Sequence, residues 1–190
     1  LVGFDLAAYI LAARRLQAGE ALYQTNVIAL GPFGQFVYPP PIAIAFVPLA
    51  ALPFDFARAA GLAFLTALAA VLIWRLTRVL PPTTRYWAAA AMVVFFPLIW
   101  EVTLGNLTLV TLMLCLLAWR LRRSHILGGI SLAGAVGLKL LPLALIAFFI
   151  VAGHRRMVAW SAVALATIAL ATWPIVGDEW AAFLGLLRSI

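Results

Sequence analysis

An acidic residue and a tyrosine near the start of the chain have the spacing of two side chains on one helix face. Asp5 and Tyr9 stand four positions apart, which places them on the same side of an α-helix. A carboxylate there can accept a proton from an incoming hydroxyl, as a general base does. The same carboxylate would suit an ordinary helix start, where the macrodipole favours negative charge. The spacing therefore indicates a candidate base and leaves a structural role open.

Lys139 is the only lysine of the chain and lies in an apolar stretch. A charged side chain inside a membrane costs roughly 2.5–3.5 kcal/mol on insertion scales unless it is paired or hydrated. We therefore expect an anionic group, such as the phosphate of a lipid substrate, to meet this side chain. The alternative is a shallow position from which the side chain reaches the lipid headgroups.

A glycine and an asparagine follow an apolar segment in the middle of the chain. Gly105 permits close approach of another backbone, and Asn106 can donate and accept hydrogen bonds to a sugar or a phosphate. The same pair would also suit a turn. Glu101 either lines the same cavity or marks the water interface, and its position directly after an apolar segment favours the interface.

Other chemistries lack the residues that they need. His125 and His154 lie beside arginines without a carboxylate or thiol nearby, and Cys115 lies inside an apolar stretch, so we expect no metal site and no cofactor. The sequence contains no phosphate-binding glycine loop and no nucleophile elbow. The net charge is +7, but the basic residues form small clusters at the ends of apolar segments, which argues against nucleic-acid binding.

The elements that must position these residues are membrane helices. Hydrophobic residues make up 66% of the chain, charged residues 10%, and the mean hydropathy is +1.13, which exceeds what a soluble domain carries. Several apolar stretches approach the roughly 20 residues that cross a bilayer. The sequence therefore predicts an all-α fold, a polytopic transmembrane helical bundle with short re-entrant or half-length helices.

Charge is divided between the two sets of connections that join the apolar segments. The basic clusters contain no acid and consist of Arg75, Arg78 and Arg85; Arg120, Arg122 and Arg123; and Arg155 and Arg156. The acidic residues all lie in the other set: Asp5, Glu20, Asp55, Glu101, Asp178 and Glu179. Because arginine-rich loops stay in the cytoplasm, we expect the acidic connections on the extracytoplasmic side.

This orientation divides the apolar residues into full spans and shorter segments. The predicted spans are residues 57–74, 86–100, 107–119 and 157–173. Residues 41–52 are too short to span and predict a re-entrant or interfacial helix, whereas residues 126–152 predict a hairpin of two short helices around Lys139 and Pro142. In the first half of that hairpin, Gly128, Gly129, Gly134 and Gly137 favour close helix packing. Short paired helices indicate an internal cavity, and hence an enzyme or a transporter.

The sequence predicts one transmembrane domain over residues 1–190. Residues 3–40 are the most polar part and predict an extracytoplasmic loop that carries the candidate site. Residues 41–173 would form the membrane helices, and residues 174–190 would begin another outer loop. Only about four apolar residues precede Asp5, so we expect a fragment that lacks a first membrane helix and further spans at the other end.

Five sequence elements occur in an order that one family shares. They are Asp5 with Tyr9; Gly19-Glu20-Ala21-Leu22-Tyr23; Phe36-Val37-Tyr38-Pro39-Pro40 running into Pro48-Leu49-Ala50 and Leu52-Pro53; Gly105-Asn106; and Gly137-Leu138-Lys139 with Pro142. In this order the chain resembles the polyprenyl-phosphate-mannose-dependent α-mannosyltransferases of glycosyltransferase family 87, which have the membrane-embedded class C fold. Tyr-Pro-Pro also occurs in other class C enzymes, so the resemblance depends on the order.

The resemblance implies inverting transfer of a mannosyl or other hexosyl group from a polyprenyl-phosphate sugar to a hydroxyl of a glycolipid or glycan. Asp5 would be the general base. The implied substrate-binding residues are Tyr9, Arg14, Tyr38, Asn106 and Lys139, with Arg15 as an alternative to Arg14. The lipid bilayer would be the other partner, and the enzyme would lie in the inner (plasma) membrane, with its active site on the extracytoplasmic face, and serve the cell envelope.

Two other interpretations stay open. Lys139 and the broken helices would also suit a transporter or flippase of lipid-linked sugars. The concentration of polar groups in one outer loop and the lack of an internal repeat favour an enzyme. A class C enzyme that uses a different lipid-linked sugar is the second alternative, because the sequence does not identify the sugar, the acceptor or the linkage.

Overall fold

The computed structural model describes residues 2–23 and 34–189 of the chain. All regular secondary structure within these residues is helical, which confirms the predicted all-α class. The helices are α1 (Phe4–Ala18), α2 (Pro40–Ala45), α3 (Val47–Ala50), α4 (Phe54–Thr77), α5 (Pro82–Val93), α6 (Phe96–Leu104), α7 (Thr108–Arg120), α8 (His125–Leu138), α9 (Leu143–Val151), α10 (Arg155–Val176) and α11 (Glu179–Ser189). Residues 24–33 of the predicted outer loop lie outside the described residues.

Two helices of the described chain are long and apolar enough to cross a bilayer. They are α4 with 24 residues and α10 with 22 residues, and α5 with α6 is a third candidate if the pair is one bent span. The pair bends by 51° between Val93 and Phe96. Pro97 explains the break, because it has no N–H to donate to the carbonyl of Val93. The predicted span over residues 86–100 is therefore interrupted.

The other apolar segments form shorter helices. α7 has 13 residues and α8 has 14, so each is about 20 Å long, less than the roughly 30 Å of a bilayer's hydrocarbon core. The length of α7 does not support the full span predicted over residues 107–119. Residues 41–52 contain the short helices α2 and α3, and residues 126–152 contain α8 and α9, which agrees with the predicted short segments.

α1 lies at the centre of the largest hydrophobic cluster of the described residues. Its Ala7, Tyr9 and Ile10 side chains are at most 1% exposed, and the helix packs against α2, α3, α4 and α6. Alanines on several sides let these neighbours approach closely. α1 is thus a buried helix within residues 3–40, and the extracytoplasmic position of these residues stays a prediction.

α8 packs against both α7 and α10. A Cβ on Gly129 would lie 2.6 Å from the Cβ of Trp160 and 2.8 Å from the carbonyl oxygen of Met157, and a Cβ on Gly128 would lie 2.9 Å from the sulfur of Met157. These distances are too short for any side chain. Gly128 and Gly129 therefore have the packing role that the sequence predicts, since they let α10 approach α8.

The acidic and basic ends of the long helices lie on opposite sides of the structure. α4 has Asp55 in its first turn and Arg75 in its last, whereas α10 begins at Arg155 and is followed by Glu179. α4 therefore runs from an acidic end to a basic end, whereas α10 runs from a basic end to an acidic end. The C-terminal half of α1 and the residues after it contact both acidic ends, because Arg14 Nη2 donates to the carbonyl of Leu52, just before α4, and the N–H of Leu22 donates to Glu179 Oε1 at 3.3 Å.

Candidate active site

α6 ends in a glycine turn that packs against α1. The N–H of Gly105 donates to the carbonyl of Val102 and the N–H of Asn106 donates to the carbonyl of Glu101, both at 3.1 Å, which are the two bonds of a Schellman motif. Gly105 has a φ of 75°, in the left-handed region. A Cβ on Gly105 would lie 2.6 Å from the Cβ of Leu6. The turn can therefore pack here only because the residue is glycine.

This turn brings Asn106 to Asp5. The N–H of Gly3 donates to the carbonyl of Thr103 at 2.7 Å, which fixes the start of α1 beside the end of α6. Asn106 Nδ2 then donates to Asp5 Oδ2 at 2.6 Å, although the two residues are 101 positions apart in the chain. Asp5 lies in the first turn of α1, where the helix dipole also favours its negative charge.

The hydrogen bonds continue from Asn106 to Lys139 through Thr108. Asn106 Oδ1 accepts from the backbone N–H of Thr108 at 3.1 Å and from the Thr108 hydroxyl at 2.9 Å. Lys139 Nζ donates to Thr108 Oγ1 at 2.6 Å. Asp5, Asn106, Thr108 and Lys139 thus form one connected set, called the site network below. Three of these four residues were predicted from the sequence.

Lys139 reaches the network because α8 ends directly before it. The residue has an extended backbone with φ −143° and ψ 145°, so the chain leaves the helix at this point. Its side chain is half-buried and turns towards the first residue of α7. The structure therefore gives the ammonium group of Lys139 a partner within the site network.

Burial raises the pKa of the Asp5 carboxyl above its ordinary value. The hydrogen bond from Asn106 lowers this pKa, the negative charge of Glu101 raises it, and the positive charge of Lys139 lowers it. The net direction is upward. A carboxylate with a raised pKa accepts a proton more readily than an exposed one, as a general base requires.

Glu101 lies at this site, whereas the sequence interpretation favoured a position that only marks the water interface. Its Oε2 atom is buried and has no hydrogen-bond partner among the described residues. Its charge acts on Asp5 and also raises the pKa of Tyr38. Glu101 lies here because it is one helical turn before Gly105, in the part of α6 that the glycine turn holds against α1.

Tyr9 and Tyr38 form an aromatic wall next to the carboxylate. Tyr9 is 1% exposed and donates its hydroxyl to the Tyr38 hydroxyl at 3.0 Å, and the two ring centroids are 4.9 Å apart. Tyr23 donates its hydroxyl to the Tyr38 carbonyl at 2.7 Å. Burial, with a smaller contribution from the charge of Asp5, raises the pKa of both Tyr9 and Tyr38. Both phenols therefore stay neutral.

Arg14 is directed away from the site network. Its Nη2 donates to the carbonyl of Leu52 at 2.8 Å, its Nε donates to the carbonyl of Ala50 at 3.3 Å, and its guanidinium lies 5.5 Å from the Phe54 ring centroid. Asp5 precedes Arg14 by nine residues, about 13 Å along α1. The structure thus gives Arg14 a structural contact, with backbone carbonyls at the end of α3 and just after it.

Two residues beside Asp5 and Asn106 were missed by the sequence analysis. Thr108 had a usable signal, because an asparagine side chain often bonds the backbone two residues later. Gly34 had none. A Cβ on Gly34 would lie 2.7 Å from Phe4 Cε1 and 3.4 Å from Asp5 Oδ1, so glycine leaves the space beside this carboxylate oxygen open.

Acidic, histidine and cysteine side chains do not cluster in threes within residues 2–23 and 34–189, so no group of them there could hold a metal ion. Asp5 and Glu101 are the two carboxylates that act on one another at the site. The site that the described residues form is thus a base, a cation and the hydrogen bonds between them. Proton transfer and charge stabilisation are the chemistry that such groups supply.

Comparison with known proteins assigns the chain to a family. The model of glycosyltransferase family 87 matches residues 36–190, which include Tyr38, Asn106, Thr108 and Lys139, whereas Asp5 precedes the match. Neither the curated proteins nor the solved structures gave a match. Since the family model covers most of the sequence, this membrane protein belongs to glycosyltransferase family 87.

Proposed function

We propose that this chain transfers a mannosyl or other hexosyl group from a polyprenyl-phosphate sugar to a hydroxyl of a glycolipid or glycan. The observation that carries the proposal is the site network, in which a carboxylate and an ammonium group are joined by two short polar side chains. Glycosyl transfer from a phosphate needs a base for the acceptor and positive charge for the leaving group. The two ends of the network supply these groups.

Asp5 is the proposed general base. Its Oδ2 accepts the hydrogen bond from Asn106, which leaves Oδ1 available beside Gly34. The acceptor oxygen attacks the anomeric carbon while its proton passes to Asp5. The bond from Asn106 holds the carboxylate in one orientation, and such positioning lowers the entropic part of the barrier.

Lys139 is the proposed partner of the leaving phosphate. As the new bond forms, the bond between the anomeric carbon and the phosphate oxygen breaks, and its electron pair stays on the phosphate. The ammonium group of Lys139, held by Thr108 at 2.6 Å, stabilises this charge. Attack opposite to the departing phosphate inverts the configuration of the anomeric carbon.

An apolar groove beside Lys139 supports a lipid-linked donor. It has a volume of about 470 Å³, within the roughly 300–1,000 Å³ of small-molecule pockets. Leu138 and Leu140, on either side of Lys139, line it together with Gly134 and Gly137. A Cβ on Gly137 would have only Leu165 nearby, at the ordinary contact distance of 3.8 Å, so the glycine leaves room in the groove.

The family match gives the transporter alternative no support, because it identifies a glycosyltransferase. A different lipid-linked sugar stays the open alternative. Donors that share the polyprenyl phosphate and differ in the sugar, including polyprenyl phosphate mannose, would separate the two possibilities in one transfer assay.

We further propose that the acidic ends of α4 and α10 face the extracytoplasmic side of the inner (plasma) membrane, as arginine-rich connections stay in the cytoplasm. Glu20 lies beside the end of α10, and Ser124 precedes α8, which packs along the start of α10. The 22 residues of α10 separate these ends by about 33 Å.

In sealed cells, an impermeant thiol reagent should label Glu20→Cys and leave Ser124→Cys unlabelled until the membrane is opened. Labelling of both from outside would contradict this orientation.

Asp5→Asn should abolish transfer of radiolabelled mannose from polyprenyl phosphate mannose in membranes that contain the full chain. The amide keeps the shape of the side chain but cannot take the acceptor proton, and loss of a general base lowers rates by roughly 10²–10⁴-fold. Asp55→Asn, which removes only the exposed ion pair with Arg58, is the matched control and should keep parental activity. Retained activity in Asp5→Asn at equal expression would remove Asp5 from the mechanism.

The acid limb of the pH–rate profile should move in opposite directions when the two charges around Asp5 are removed. The base acts when ionised, so activity falls as the pH drops through the raised pKa of Asp5. Glu101→Gln removes a negative charge, lowers this pKa and moves the limb to lower pH. Lys139→Met removes a positive charge and moves the limb of its residual activity to higher pH. Identical profiles for all three proteins would show that another group titrates.

A further inference from the structure

A second apolar groove lies between α4 and the bent pair α5–α6, away from the site network. It has a volume of about 550 Å³ and is called the α4–α6 groove here. Apolar side chains form most of its walls, among them Ala69, Ala70 and Ile73 of α4, Ala89 of α5, and Leu98 and Val102 of α6. The 51° bend between α5 and α6 turns these helices away from a straight path along α4.

The lining of the groove runs lengthwise along a membrane-length helix. On α4 it extends from Thr66 to Thr77, about 16 Å along the helix. Neither α5 nor α6 contains a buried residue, so the described part of the chain leaves this side of the helix pair uncovered. A long, narrow, apolar occupant therefore fits the shape of the groove better than a compact polar one.

The groove has positive charge at one end only. Arg85 lines that end together with Trp74 and Tyr86. The guanidinium groups of Arg75 and Arg78 each lie 5.3 Å from the Trp74 ring centroid, which gathers three arginines around the same end. No described carboxylate forms an ion pair with any of them, since the ion pair found in the described residues joins Arg58 and Asp55.

We propose that the α4–α6 groove is a binding site for an anionic phospholipid of the surrounding bilayer. One acyl chain lies along α4 between the two bent helices, and the phosphate headgroup lies at Arg85. Basic pockets between transmembrane helices are known to bind anionic lipid headgroups, and tryptophan and tyrosine favour the same interfacial depth. Charge complementarity at one end and an apolar path beyond it select a lipid over a soluble ligand.

The lipid would support the active site from a distance. Val102 and Thr103 line the other end of the groove, and the carbonyl of Thr103 accepts the hydrogen bond from Gly3 at the start of α1. α6 also carries the glycine turn that presents Asn106 to Asp5. An acyl chain packed against α6 would therefore stabilise the helix end on which the site network depends.

The test uses the full chain, purified in detergent and delipidated, with phosphatidylglycerol or phosphatidylcholine added back. Binding is measured by native mass spectrometry, and the thermal unfolding midpoint by scanning fluorimetry. We expect the parent to bind phosphatidylglycerol more tightly and to unfold at a higher temperature with it than with phosphatidylcholine. Arg85→Gln should weaken phosphatidylglycerol binding about fivefold, which corresponds to about 1 kcal/mol for one arginine, and should reduce the preference over phosphatidylcholine by the same factor.

Two pairs of variants separate the groove from general lipid contact. Ala70→Phe adds a ring at an exposed position that lines the groove and should reduce binding of both lipids, whereas Ala67→Phe, at an exposed position outside the lining, should not. Arg123→Gln removes an arginine of a different basic cluster and should keep the preference for phosphatidylglycerol.

Three results would overturn the proposal. One is an equal response of Arg85→Gln and Arg123→Gln to phosphatidylglycerol, and another is unchanged binding in Ala70→Phe. The third is displacement of bound phosphatidylglycerol by an equal amount of polyprenyl phosphate, which would assign the groove to the donor lipid. None of these measurements depends on the sugar transferred, so they are independent of the proposed reaction.

Discussion

A carboxyl group that is half-buried in a membrane protein stays ionised only if hydrogen bonds or positive charge offset the loss of water. For Asp5 the hydrogen bond comes from Asn106 and the positive charge from Lys139. Asn106 can make this bond because Gly105 adopts a left-handed φ and lets α6 end against Leu6 of α1. The geometry of the proposed base therefore depends on a backbone turn more than 90 residues away in sequence.

The same constraint accounts for the short helices. α6 ends before Asn106, α7 starts at Thr108, and α8 ends before Lys139, so the polar side chains of the site network lie where helices begin and end. Backbone groups at such ends need partners inside a membrane protein, and the network supplies some of them: Asn106 accepts from the N–H of Thr108. Continuous spans through this region would leave no place for the network.

The sequence predicted the classes of residue well and their neighbours less well. Asp5, Asn106 and Lys139 could be selected because a polar residue in an apolar chain is costly and needs a reason. That they meet through Thr108 depends on tertiary packing across 101 and 31 positions, which no local pattern encodes. The predicted binding role of Arg14 stays untested. In the structure its guanidinium group donates hydrogen bonds to backbone carbonyls.

Local rules were also overridden by packing elsewhere in the chain. α1 belongs to a segment that charges and tyrosines punctuate, yet its alanines are buried in the core. Glu101 was assigned to the interface from its place after an apolar segment, whereas the turn at Gly105 holds it beside Asp5. Pro97 carried a readable signal for the broken span, since proline interrupts the helical hydrogen bonds.

The hydroxyl of Thr108 connects the proposed base side of the site to the proposed phosphate side. The most direct test is sugar transfer in membranes that contain Thr108→Ser or Thr108→Val at equal expression. Serine keeps the hydroxyl that bonds Asn106 and Lys139, so we expect activity near that of the parent. Valine keeps the shape and loses both bonds, so we expect a loss of about tenfold or more, since the bond to the charged Lys139 alone contributes about 1.5–3 kcal/mol. Equal activity of the valine and serine variants would contradict a connected site.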